Sequence, residues 1–483
     1  MRSQIESFLV VAGVIAGGVL VNVPLAVGWF YGNLSPYIDS YFIASLGREN
    51  HTAGSLWMTS LWLLAISPCL VLSGYMVRYI GPRWTLVSGM ICFNVGIFMS
   101  YFTLKSSFVS LHVTLAVMTG LGCGLSYSMT LLYAGTWVKS RVGLATAAVS
   151  CTLGGGALFV NLAITFYINP HNLQPDIFVG DSTYFSQREI IDRVPTVFLV
   201  IGGLSSGCHL VAIFLMRHHP DFDKYKNSAR KSLENGISST NLTDKSVSKT
   251  ASYASTGTSY TSAANDCENK SSCHEGDLPD GTKDLTEQEL QLSPGQVLKS
   301  SAFYLISISV ALLMVGYTIE LSMYKQFGLV YIPDDYFVAN IGVGINIVVA
   351  VSRILWGYTL DIFNVKTMFI AVTSSHTILS AFWYFTPLAN RWLYLFCTLA
   401  LQASFNGIMI VAPVGVLRLF GKEYYLINYG MTFSVSNVSF LTIPQVAVIV
   451  RATLGWYWLF CLVPTTSLLA LILSLCLPKF PQQ

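Results

Sequence analysis

One arginine stands where water is scarce. The stretch Asn340–Lys366 reads NIGVGINIVVAVSRILWGYTLDIFNVK, and its first two-thirds carry a single charge, Arg353. An arginine at the centre of a membrane helix costs roughly 2.5–3.5 kcal/mol on insertion scales. A water-filled path holding an anion offsets that cost. Pairing with a nearby carboxylate, or with carbonyls at a helix end, is the other way to meet it. Arg353 lies about two turns before Asp361, too deep to reach bulk water easily, and this favours the anion. Two more titratable groups fall in apolar runs. Glu320, followed by Lys325, reads first as a solvated or paired acid near the outer face and second as a proton relay. His376 reads first as a packing histidine and second as a coupling group. His112 reads as interfacial.

The elements that must hold these groups follow from composition. Apolar residues make up 53% of the chain and charged residues 11%, against about 25% charged in soluble domains. A span needs about 20 apolar residues. Such runs fall at 8–31, 55–77, 84–103, 109–136, 143–168, 194–216, 301–324, 338–360, 367–387, 392–417, 425–449 and 455–477. The fold class expected is an all-α polytopic membrane protein with twelve transmembrane helices in two six-helix bundles, 1–216 and 299–483. The loop between them, 217–298, is rich in Ser, Thr, Asn and mixed charge and is expected to be disordered and cytosolic. The run from Phe8 is too long for a cleavable signal peptide, and no small-residue cleavage site follows it.

Lys and Arg are more frequent in the segments that share a side with the N-terminus, which predicts cytosolic termini. Nothing addresses the chain to an organelle, so the plasma membrane is the expected compartment. No basic stripe lies outside the loops, so the bilayer, and not nucleic acid, is the partner implied. Cys69, Cys92, Cys123, Cys151, Cys208, Cys397, Cys461 and Cys476 sit in apolar runs as small packing residues. Cys267 and Cys273 lack metal-site spacing. Asn50-His-Thr52 is a sequon in the first outer loop, whereas Asn241 and Asn269 are expected to face the cytosol. Trp57, Trp84, Trp392 and Trp456 fall near span ends, as interface anchors do.

Two loops match each other six spans apart. One is Gly74-Tyr-Met-Val-Arg78-Tyr-Ile-Gly81-Pro82-Arg83, and the other Gly357-Tyr-Thr-Leu-Asp361-Ile-Phe-Asn-Val-Lys366. Both resemble the Gly-x-x-x-Asp-x-x-Gly-x-Arg loop of the major facilitator superfamily. Arg78 replaces the usual Asp in the first, and no glycine stands between Asp361 and Lys366 in the second. The glycine lets helices approach, and the charges can meet helix ends and a neighbouring carboxylate, latching one conformation.

A second resemblance is narrower. Gly120-Leu-Gly122-Cys-Gly124-Leu-Ser-Tyr127, Tyr133, Trp137-Val-Lys139-Ser-Arg141-Val-Gly-Leu-Ala145 and Gly154-Gly155-Gly156 look like spans four and five of the monocarboxylate transporter and oxalate/formate antiporter families. Gly32-Asn33-Leu-Ser-Pro36-Tyr37 and Ser352-Arg353-Ile-Leu-Trp356-Gly357 look like the oxalate/formate branch. The resemblance implies that Arg353 meets the substrate carboxylate. A guanidinium suits that task, because its planar fork holds a carboxylate through two hydrogen bonds and stays charged.

The chain departs from these families in three places. Val349 stands where proton-coupled relatives carry an acid, Phe30-Tyr31-Gly32-Asn33 stands where they carry a first-span lysine, and Tyr425–Val450 lacks the antiporters' second basic residue. One buried cation balances one anionic charge, so a monoanion is favoured over a dianion. Proton symport then needs another titrating group, with Glu320 first and His376 second.

Tyr31, Tyr127 and Asn406 are the expected cavity residues beside Arg353. Asn33, Tyr133, Asn161, Asn346, Gln402, Asn428 and Asn437 are further polar residues within spans. The expected function is alternating-access transport of lactate-, pyruvate- or formate-like anions, with a proton or counter-anion as possible co-substrate. A carrier of another organic anion or a neutral solute, and a transport-dead sensor signalling through 217–298, are the alternatives. No enzyme motif and no cofactor site is present, and nothing marks a docking face for an accessory subunit.

Overall fold

The computed structural model describes residues 2–46, 56–171, 173, 176–179, 182–217, 219, 220, 222, 291–332 and 334–478. Met1–Lys226 and Gln291–Gln483 form one compact unit, and Asn227–Leu290 falls in a second. The first span is Arg2–Leu25, turning at Ala26 into Val27–Leu46. The others are Leu56–Ile80, Pro82–Ser106, Phe108–Trp137, Lys139–Ile168, Arg188–Leu215, Ser301–Tyr331, Asp335–Ile362, Val365–Trp383, Arg391–Phe420, Tyr425–Leu454 and Trp456–Leu475. Nine stretches among the described residues are long and apolar enough to cross a membrane.

Several boundaries differ from expectation. Gly32–Tyr37, just past the expected first span of 8–31, lies inside the helix Val27–Leu46, whose offset from Arg2–Leu25 follows Pro24. The seventh span runs on to Tyr331, so Glu320 is not near its end. An antiparallel hairpin, Ile177–Val179 with Ser182–Tyr184, joins the fifth and sixth spans. The central loop is shorter than 217–298, because Ser293 and Gln296 form a capping box on the turn Pro294–Val297, and Leu292 N–H donates to the Phe420 carbonyl at 2.9 Å. The expectation of disorder thus falls on 223–290, outside the described residues. So do Cys267, Cys273 and the sequons at Asn50, Asn241 and Asn269.

Small residues set the spacing of the first half. Gly120 and Gly124 face the second span, where an added Cβ would stand 2.6 Å from the Trp62 carbonyl oxygen and 2.5 Å from that of Ile66. Gly122 faces the third span, 2.7 Å from the Gly89 carbonyl oxygen. A fourth helix with side chains at these positions could not sit between both neighbours. Outward faces carry Phe159, Phe166, Phe214 and Phe396 exposed, as surfaces bathed in lipid do. Turns between spans use glycine at positive φ, namely Gly81 (87°), Gly421 (84°) and Gly455 (85°). Pro82 follows the first of these and opens the third span.

Candidate functional site

Arg353 is 5% exposed and lies where the halves meet. Its Nε donates to Asn406 Oδ1 at 2.9 Å, and its Nη1 donates to the Ser150 carbonyl at 2.5 Å. Asn406 belongs to the tenth span, in the same half, and Ser150 to the fifth, in the other. Glycines build this arrangement. A Cβ on Gly154 would stand 2.5 Å from Val349 Cγ1, one turn before Arg353. A Cβ on Gly407 would stand 2.8 Å from the Trp356 ring, whose Nε1 donates to the Ala403 carbonyl at 2.8 Å. The eighth span is thereby pressed against both the fifth and the tenth. Among the described residues no carboxylate pairs with Arg353 and none accepts from Nη2. Its acceptors are neutral, so its charge is solvated by dipoles and not cancelled.

Three tyrosines lie within electrostatic reach of Arg353: Tyr127 of the fourth span, Tyr317 of the seventh and Tyr429 of the eleventh. Of the expected cavity residues, Tyr127 and Asn406 therefore belong to this cluster. Tyr31 bonds to the fourth span. Its hydroxyl bonds to the Leu115 carbonyl and lies 3.2 Å from Thr119 Oγ1. Leu115 sits in the π-helical turn His112–Met118, where the widened backbone ladder leaves carbonyls for side chains to satisfy. Sequence reasoning missed Tyr317 and Tyr429. Tyr317 is three residues before Glu320, on one helical face, which was the signal available.

The loop charges form ties at one end of the molecule. Asp361 accepts from Gly143 N–H at 2.8 Å and Leu144 N–H at 2.9 Å, capping the helix Val142–Ser150 of the other half. Arg78 donates to the Glu423 carbonyl at 3.0 Å and stacks over Tyr424 at 3.8 Å, again across the halves. Gly74 and Gly357 are the contact points beside them. A Cβ on Gly357 would meet Ala147 and stand 2.6 Å from the Gly143 carbonyl oxygen, and one on Gly74 would meet Ile427. The other two expected members do not cross the halves. Lys366 Nζ donates to the Leu477 carbonyl at 2.6 Å, within the second half, and Arg83 is exposed. At middle depth Asn437 Nδ2 donates to Ser67 Oγ at 2.7 Å, another tie across the halves. At the opposite end, Glu189–Arg193 and Asp334–Arg391 each join groups within one half. Charged side chains thus tie the two halves together at the Arg78/Asp361 end.

Glu320 is buried, 1% exposed, which corrects the interfacial reading. His376 Nε2 lies 3.6 Å from its Oε1. His376 is fully buried, and its Nδ1 is 2.9 Å from Ser467 Oγ. No group of three or more metal-ligating side chains occurs among the described residues.

Two helical halves with a buried cation at their seam and paired loops tied across it are a plan that carriers share. A family model of the Major Facilitator Superfamily matches residues 22–345, more than half of the chain, and the chain belongs to that superfamily. It is a multi-pass integral membrane transporter. The chain is 23% identical to apicoplast pyruvate carrier 1 of Toxoplasma gondii, over 96% of this chain and 87% of that protein. Among solved structures it is similar to the proton:xylose symporter XylE, with TM-score 0.63, 13% identity and coverage of 98% and 96% of the two chains. It is also similar to the Escherichia coli fucose:proton symporter FucP, with TM-score 0.60, 14% identity and coverage of 96% and 98%. At these identities the two symporters speak for the fold alone.

Proposed function

We propose that this chain carries small monocarboxylates of the pyruvate and lactate class across its membrane by alternating access. The observation that carries the reading is Arg353: a buried guanidinium at the seam with neutral partners and no carboxylate among the described residues. Asn406 fixes its Nε, which leaves the Nη edge for a carboxylate, while Tyr127 and Tyr429 bring phenol groups near the same charge. The similarity to a pyruvate carrier supports the same substrate class. The single cation favours a monoanion, since a dianion would keep an unbalanced charge in a dry site.

The two bonds of Arg353 have different fates when the halves rock. The bond to Asn406 stays within one half. The bond to Ser150 crosses the seam and must break. Bare, the guanidinium would then lose an acceptor in a low-dielectric site. A bound carboxylate supplies a replacement oxygen to Nη1, so substrate lowers the barrier to its own transit. Proteoliposomes given labelled pyruvate, lactate or formate test this. Wild type takes up at least one of them. Arg353→Gln loses charged hydrogen bonds worth about 3 kcal/mol together, or roughly a hundredfold in transport at low substrate. Undiminished uptake by a folded Arg353→Gln would remove the anion site and leave a carrier of another solute.

A further inference from the structure

We propose that Cys151 is a covalent modification site addressed through Arg353, alkylated by short monocarboxylates that carry an electrophilic carbon beside the carboxylate. This rests on the monocarboxylate reading above and adds to it a class of inactivating ligand.

The fifth span is jointed at this residue. The helix Val142–Ser150 ends before it, and Thr152–Ile168 begins after it. Side chains take the carbonyls just before the joint. Cys151 Sγ donates to that of Ala148 at 3.1 Å, Asn22 Nδ2 to that of Val149 at 3.0 Å, and Arg353 Nη1 to that of Ser150 at 2.5 Å. The Ser150 carbonyl carbon is bonded to the Cys151 nitrogen, so the sulfur cannot stray far from the guanidinium. Arg353 lies within its electrostatic reach. Cys151 is half-buried, whereas Cys69 and Cys123 of the same half are buried. Gly155 stands one turn further along the same face. An added Cβ there would find only Ala350 Cβ, at 3.7 Å. A small reagent therefore has room beside the thiol.

Arg353 supplies the docking point that a thiol by itself lacks. It is 5% exposed, and among the described residues it meets no carboxylate and its Nη2 makes no hydrogen bond. An acid whose carboxylate takes the Nη edge is held with its neighbouring carbon close to the sulfur. Capture of this kind raises the local reagent concentration far above that of the bulk. With a 2-haloacid the step is a displacement at carbon. The sulfur lone pair forms the S–C bond, the carbon–halogen bond breaks, the halide leaves with its electron pair, and the thiol proton goes to water. The product keeps its carboxylate, now tethered to Cys151 and still on Arg353. It fills the place of the substrate, so transport stops.

Two reagents with one leaving group test the proposal: iodoacetate, a monocarboxylate, and iodoacetamide, its uncharged amide. The purified wild-type chain is treated with each, and mass spectrometry follows modification of Cys151 and of exposed Cys476, the reference within the same molecule. The rate ratio of iodoacetate to iodoacetamide should be at least about tenfold higher at Cys151 than at Cys476. Saturating pyruvate should slow carboxymethylation of Cys151 and leave that of Cys476 unchanged. Arg353→Gln should bring the two ratios together, and Arg353→Lys, which keeps a cation, should restore part of the difference. Wild-type uptake should fall in step with carboxymethylation of Cys151, while whatever uptake Cys151→Ala retains should be insensitive to iodoacetate. Equal ratios at the two cysteines of wild type overturn the site, and that comparison needs no variant to fold. If the ratios are equal while labelled pyruvate is still taken up, the monocarboxylate reading stands without the site. If the ratio is raised at Cys151 but none of pyruvate, lactate and formate is carried or protects it, the substrate reading fails and the modification site remains.

Discussion

The two latches occupy equivalent places in the two halves and carry opposite charges. The end of the second span meets the start of the eleventh through Arg78, and the end of the eighth meets the start of the fifth through Asp361. In both, a glycine four residues earlier is the point of close approach. Asp361 meets bare N–H groups at a helix N-terminus, where the backbone is electron-poor and an anion is favoured. Arg78 meets the Glu423 carbonyl and the Tyr424 ring just before the eleventh span begins, where a cation is favoured. The shared part of the motif is therefore the glycine contact. The sign of the charge follows from which backbone group the other half presents.

This comparison can be broken or sharpened by substitution, with native Cys151, beside Arg353, as the reporter in a chain otherwise free of cysteine. Labelling by a thiol reagent added at the latched end reads how often that end opens. Asp361→Ala has the largest expected effect. It removes two charged hydrogen bonds worth about 1.5–3 kcal/mol each, so labelling should rise at least about a hundredfold. Arg78→Ala loses one bond and a ring contact, about 1–2 kcal/mol together, and should raise labelling about tenfold. Arg78→Asp should do less harm than Arg78→Ala. By analogy with Asp361 the new carboxylate should reach the Leu426 and Ile427 N–H groups near the start of the eleventh span, since a Cβ on Gly74 would already lie 2.9 Å from Ile427 N. If Arg78→Asp labels faster than Arg78→Ala, the equivalence of the two latches fails. Lys366→Ala and Arg83→Ala should change labelling less than about twofold, because neither side chain ties one half to the other.

Much of this was legible in the sequence. Apolar runs of span length mark the helices, and the order of the glycine-rich motifs gives the superfamily. Arg353 and Asn406 stand out as polar groups in apolar surroundings, and they meet. Glu320 did not stand out correctly, because helix ends are poorly marked where an apolar run fades gradually. The span continues through Lys325 to Tyr331, which places the acid deep inside. Tyr31 bonds to a carbonyl in a π-turn of another helix, and no local pattern announces that turn. The partners Ser150 and Glu423 act through backbone carbonyls, which every residue owns, so side-chain chemistry could not single them out.

The central claim is that Arg353 reads a single negative charge, and one binding measurement tests it most directly. Titrations of the purified carrier with pyruvate and with its uncharged methyl ester, repeated on Arg353→Gln, compare ligands of nearly one shape and different charge. The account predicts saturable binding of pyruvate to wild type, with the ester at least about tenfold weaker, and no such preference in Arg353→Gln. Equal binding of acid and ester by wild type, or an unchanged preference in Arg353→Gln, would contradict it.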